Sequence, residues 1–152
     1  MKKKVELFYF FEITNPAQFK QKLATDIHSR ITTTTQLLDV SKQPSAAVNL
    51  AFSQRGLNAI NVTESLGDSA FTAGQASVAN TLGDPGTTNW VSAFTGTNVH
   101  GVFLLASDSV VNILEELGQI QSVLNGCASE VYSLPGTARP GDQEGHERTS
   151  IS

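Results

Sequence analysis

Cysteine is all but missing from this chain. The single Cys127 among 152 residues excludes an internal disulfide and any cysteine-rich zinc or iron–sulfur site. Beside a strand it reads as a buried, inert thiol. Charge is also scarce: charged residues make up 16% of the chain, against the usual quarter. The balance is acidic, with a net charge of −4 and a pI near 5.2. Nucleic acid is therefore not expected as a partner, because its phosphates require a basic face. The one basic run, Lys2-Lys3-Lys4, reads as a solvated strand end. Long apolar runs are absent too. The longest apolar-rich stretch, residues 99–106, is strand length and far below the ~20 residues of a membrane span, so no membrane partner is expected. Glu6 and Glu12 interrupt the N-terminal apolar run and no small-residue cleavage site follows, so it does not read as a signal peptide and localisation stays unassigned. Nucleophile elbow, P-loop and dinucleotide-binding glycine patterns do not occur. Nor does an internal repeat of about 20–50 residues.

What remains is a single-domain length with 39% apolar residues, enough to bury roughly 68–70% of the unfolded surface. Residues 5–13 are dense in Phe, Tyr, Val and Leu and predict a strand. Asn15 then supplies an N-cap and Pro16 a first helical position. Phe19, Leu23, Ile27 and Ile31 follow at a spacing of four, an apolar stripe, before the β-branched run at 32–35 weakens the helix. Leu37, Leu38 and Val40 either extend it or pack a loop. Val48, Leu50 and Phe52 alternate as a second strand, and Ser53 caps a short helix ending near Ile60. Residues 68–82 read as weak helix or irregular, Asp84-Pro85-Gly86 as a turn, and Trp90 and Phe94 as anchors pinning a loop to the core. Residues 99–106 predict a third strand. Asp108 is the expected cap of a second long helix, with Val110, Ile113, Leu114, Leu117, Ile120, Gln121 and Leu124 on its buried side and Asn125-Gly126 as a left-handed stop. Residues 127–134 form a weaker fourth strand. A ferredoxin-like domain over 1–134 and an exposed tail over 135–152 follow.

The order β-α-β, extra helices, β-α-β is the split βαβ pattern of a ferredoxin-like α+β fold: an antiparallel sheet with helices on one face. The first strand carries Val5, Leu7, Tyr9, Phe11 and Ile13 on one face but Phe8 and Phe10 on the other. The third sets Val99, Phe103 and Leu105 against Val102 and Leu104. A half-exposed sheet alternates apolar with polar, and these strands do not. The second face calls for another sheet, so a homodimer or higher homo-oligomer through that face is expected.

Site candidates are few. His28 reads as a surface residue of the first helix, and His100 as a satisfied histidine at a sheet face. His146 lies in the acidic tail stretch Asp142-Gln143-Glu144-Gly145-His146-Glu147, which no regular element holds in metal-binding geometry. Adjacent Glu115 and Glu116 diverge on a helix and read as a solvated face rather than an acid–base pair. Asn61-Val62-Thr63 is a glycosylation sequon. The residues alone nominate no catalytic, cofactor-binding or metal-binding group.

Several stretches in order carry a resemblance: Ala51-Phe52-Ser53-Gln54-Arg55-Gly56-Leu57, Leu66-Gly67-Asp68-Ser69-Ala70-Phe71, Leu82-Gly83-Asp84-Pro85-Gly86, His100-Gly101-Val102-Phe103-Leu104-Leu105, and Arg139-Pro140-Gly141-Asp142-Gln143-Glu144-Gly145-His146-Glu147. Together they resemble the N-terminal domain of fungal dye-decolorizing peroxidases across nearly the whole chain. The resemblance implies a dimeric α+β barrel arrangement in which two ferredoxin-like domains pack with their sheets facing. It implies heme held mainly by the C-terminal domain, with a G-x-x-D-G motif giving the distal acid, an arginine assisting, and a downstream histidine on iron. It also implies secretion, the usual family location. This chain has no Gly-x-x-Asp-Gly, and Arg148-Thr149-Ser150-Ile151-Ser152 stands where that motif is due. The expectation is a truncated product without heme and without turnover, acting if at all as a self-associating binding or interaction protein, an immunomodulatory one included. The alternative is heme-dependent peroxidase activity on dyes or phenolics, as in the full-length family.

Overall fold

The computed structural model describes residues 4–96 and 98–138. Four strands form one antiparallel sheet: β1 (Val5–Ile13), β2 (Ala47–Phe52), β3 (Gly101–Ser107) and β4 (Ala128–Thr137), in the order β2-β3-β1-β4. Each of the two βαβ halves is split by a strand of the other, as the ferredoxin-like pattern requires.

The first helix, α1 (Pro16–Lys22), starts as expected, with Asn15 Oδ1 accepting the Gln18 N–H at 3.2 Å. It continues through a π turn at Leu23–Ile27 and a 3-10 turn at His28–Arg30. The π turn has a cause in the sequence. At 3.6 residues per turn, a stripe spaced every four residues drifts by about 40° per step. One wider turn compensates, and Phe19 and Ile27 end fully buried on the same core. A short helix α2 (Thr34–Leu38) follows, with a reciprocal Thr33–Gln36 capping box. Leu38 and Val40 remain 80% and 83% exposed, so they do not pack the loop.

Between β2 and β3 lie α3 (Gln54–Ala59), α4 (Ser69–Ala73) and α5 (Gln75–Val78), capped in turn by Ser53, Asp68 and Gly74. Gly74, at φ 79°, breaks the alanine-rich stretch into two pieces. Gly56 of α3 presses on the backbone of residue 100: a Cβ there falls 1.9 Å from the His100 carbonyl oxygen. Gly56→Ala is therefore expected to destabilise by about 1–3 kcal/mol or more through overpacking against backbone. A thermal melt checks this, and an unchanged midpoint contradicts it.

The long helix α6 (Val110–Leu124) starts after Ser109, not Asp108, and no side chain caps it. Ile113, Leu117, Ile120 and Leu124 are buried, whereas Val110, Leu114 and Gln121 face solvent. The buried stripe is narrower than predicted because a single sheet contacts only one side of the helix. Gly126, at φ 80°, ends the helix, and Cys127 behind it is fully buried, with burial pushing its thiol pKa up. Strand β4 runs three residues beyond its predicted end. Pro135 pairs with Leu7 and the Ala138 N–H donates to the Lys4 carbonyl. Proline is tolerated there because β4 is an edge strand. The strand thus takes in residues 135–137 of the predicted tail, and residues 139–152 of that tail lie outside the described residues.

The core lies between the sheet and the helices. Phe11, fully buried, sits 5.6 Å from Phe19, 5.2 Å from Phe103 and 6.2 Å from Phe52, ring to ring. Glu116 is not a solvated residue as expected: its carboxylate accepts from Arg30 at 2.9 Å, half-buried, and ties α6 to the end of the first helix.

Candidate interaction surface

The strand register defines what the outer face presents. Glu6 and Glu12 mark opposite ends of β1. Between them, Leu134, Phe8, Leu104 and Asn49 lie side by side across the four strands, and Tyr132, Phe10, Val102 and Ala51 form the adjacent row. Side chains alternate along a strand, so both rows point away from the helices. They make an apolar band across a face that a two-layer fold leaves open.

The structure covers part of this band from within the chain. Phe94, expected to pin its loop to the core, packs instead on the outer face. Its ring stands edge-on to Phe10 at 4.9 Å and to Tyr132 at 5.4 Å. Edge-to-face pairs of this kind contribute about 0.5–1.5 kcal/mol each beyond burial. Phe8 and Leu104 stay half-exposed and Leu134 is 46% exposed. Nothing in the sequence shows which face Phe94 takes, since a loop aromatic carries no periodicity.

The histidines do not converge. His28 is exposed on the 3-10 turn of the first helix. His100 precedes β3 rather than lying in it; its Nδ1 accepts the Ile13 N–H at 2.9 Å, and its carbonyl accepts from Ser53. It is a satisfied histidine, bracing the end of β1. His146 lies outside the described residues. Glu115 is exposed and separate from the Arg30–Glu116 pair. Tyr9, buried beneath α6, has its pKa raised by burial, offset by a hydrogen bond with Gln121 and reinforced by the Glu130 charge. Among the described residues no group of three or more His, Cys, Asp or Glu side chains is placed to hold a metal ion. Among them, too, no helix is long and apolar enough to cross a membrane.

Residues 1–140 match the family model described as the DyP dimeric alpha+beta barrel domain. The chain belongs to the dye-decolorizing peroxidases, as their N-terminal domain. It is 57% identical over 148 residues to Peroxidase 2 of Mycetinis scorodonius, a match covering 97% of this chain and 29% of that protein. It is 52% identical to a dye-decolorizing peroxidase of Mycena epipterygia, covering 97% and 28%. The solved dye-decolorizing peroxidase of Auricularia auricula-judae superimposes with a TM-score of 0.88 at 46% identity, covering 97% of this chain and 33% of that one. The chain thus spans less than a third of the length of these relatives. A further structural neighbour, 45% identical, is a dye-decolorizing peroxidase with an engineered heme pocket.

A heme requires an axial ligand such as histidine, cysteinate, methionine or tyrosinate in a dry, shaped pocket. In this chain the His100 Nδ1 accepts the Ile13 amide, which leaves the neutral ring's proton on Nε2 and no lone pair free for iron, and His28 lines neither the cavity beside α3–α5 nor the one beside α6. Among the described residues, the walls of those cavities carry no histidine, cysteine or methionine. Tyr9, in the wall of the smaller one, is hydrogen-bonded to Gln121 beneath the helix. The described residues do not fit a heme.

Proposed function

We propose that this chain works as a non-catalytic, self-associating domain, docking the outer face of its sheet on that of a second copy. The observation that carries this reading is the row Leu134–Phe8–Leu104, apolar across three adjacent strands and left open by the fold. Supporting it, the family description names a dimeric alpha+beta barrel. Phe94 shields only the Phe10–Tyr132 end, leaving a defined apolar strip for the partner sheet. Sheet-on-sheet packing about 10 Å apart seals both faces at once. Any biological effect of the chain alone then comes from binding rather than turnover.

A second reading is favoured by the high identity to proteins named as peroxidases. In it the same sheet serves heme-dependent oxidation of dyes or phenolics, and iron ligation and peroxide cleavage fall to residues outside the described set. Hemin titration of the 152-residue chain, followed by absorbance and a peroxide-plus-dye assay, separates the two. We expect no stoichiometric Soret band and no turnover. A sharp one-to-one band with turnover overturns the first reading and makes His28, His100 or His146 the first suspect as iron ligand.

A further inference from the structure

A cleft of about 890 Å³ opens between α3, α4 and α5 and the loop leading into β3. Its volume falls in the range of small-molecule sites, about 300–1,000 Å³. Three aromatic side chains, Phe71, Trp90 and Phe94, form its walls, with Val78, Leu82 and Val99 between them. Trp90 is fixed rather than free: its indole N–H donates to Asp84 at 2.9 Å, and Asp84 also accepts from the Gly86 amide.

Apart from Arg55 and Gln75, the polar side chains of the cleft are already committed among the described residues. Ser53 donates to the Val99 carbonyl at 2.7 Å and accepts from the Gly56 amide at 3.1 Å. Gln54 donates to Asn58 at 2.9 Å and accepts from Thr72. Arg55 is the only charged residue in the wall, and none of its N–H groups meets a carboxylate or carbonyl among the described residues. Arg55 is exposed at the cleft it shares with these rings, and a planar guanidinium takes a carboxylate in bidentate fashion while aromatic walls take up a flat apolar body.

We infer that this cleft binds an aromatic monocarboxylate, its ring between Phe71, Trp90 and Phe94 and its carboxylate on Arg55. The cleft shares Phe94 with the outer face of the sheet but none of Phe8, Leu104 and Leu134, and its test reads ligand binding rather than self-association.

The test uses 2-naphthoate and its uncharged analogue 2-naphthalenemethanol. The chain has one tryptophan, so the indole N–H signal of Trp90 is unambiguous in a ¹⁵N–¹H spectrum. Saturable movement of that signal with naphthoate is expected. The alcohol is expected to bind at least about tenfold more weakly, the loss of one charge-assisted contact. Arg55→Gln brings naphthoate down to the level of the alcohol, and Arg55→Lys, which keeps the charge but not the fork, falls between. No saturable shift at millimolar naphthoate overturns the inference. Equal binding of acid and alcohol, or full binding by Arg55→Gln, does so as well. Should Arg55→Gln fail to fold, the acid–alcohol comparison and Arg55→Lys decide.

Discussion

Phe11→Ala is expected to cost about 3–5 kcal/mol of folding stability, the usual range for removing a fully buried ring from a well-packed core. Phe11 has no solvent exposure and touches three other rings, Phe19, Phe52 and Phe103, drawn from the first helix, β2 and β3. Neighbours on separate elements cannot all move inward, so the cavity persists. A second constraint comes from Gly101: a Cβ there lies 2.6 Å from the Phe11 ring, so the ring and the bare backbone of β3 are fitted to each other. Since domains of this kind are stable by only about 5–15 kcal/mol, this loss removes much of the margin. Urea unfolding measures it as a lower midpoint at unchanged slope. A loss below about 1 kcal/mol means the site collapses around the missing ring and the core is not rigid as described.

The second large effect concerns association rather than folding. Leu104→Asp places a carboxylate in the middle of the open strip, flanked by Phe8 and Asn49. In the lone domain the position is half-exposed, so the charge keeps its water and the fold survives. Between two sheets it is desolvated without a partner, at a cost of several kcal/mol. Self-association is expected to weaken by at least about 100-fold, since each 1.4 kcal/mol is a factor of ten. Leu134→Asp, at the more exposed edge, acts in the same direction but less strongly. Lys20→Glu, on the exposed side of the first helix, changes nothing. Sedimentation velocity across a dilution series reads all three. Equal association of Leu104→Asp and the native chain rules out this face as the contact.

The parts of the fold legible in the sequence are those where local chemistry and tertiary packing agree. Asn15-Pro16 starts a helix wherever it stands, and Asn125-Gly126 ends one; both are found where expected. The two-sided apolar character of β1 and β3 was legible because a period of two assigns each residue to a face. The departures have physical causes as well. Asp108 is a good capping residue, but the chain turns one residue later, where the buried Ser107 hydroxyl donates to the Ser45 carbonyl and lies 3.3 Å from the Ser109 amide. Pro135 looked like the end of a strand, yet an edge strand needs no inward N–H at that position. Glu116 looked solvated because its partner Arg30 is far away in sequence.

The interaction surface was half legible. The outward Phe8, Phe10, Val102 and Leu104 follow from alternation alone. The contributions of Tyr132 and Leu134 depend on the β4 register, which shifts at a bulge between Phe10 and Phe11. A one-residue bulge reverses the facing of everything beyond it, and the sequence of β4, with polar residues scattered through it, does not announce the place. Phe94 was visible as an anchor, but its side of the sheet was not. Arg55 stood in the sequence as part of a family-like stretch. Only the structure places it in the lining of one cleft with Trp90 and Phe71.

Static light scattering on the purified 152-residue chain at micromolar concentration is the most direct test of the central claim. If the open strip is a sheet-to-sheet contact, the measured mass is twice 16.2 kDa or a higher multiple and falls toward 16.2 kDa in Leu104→Asp. A native chain that scatters as a 16.2 kDa monomer throughout that range contradicts it.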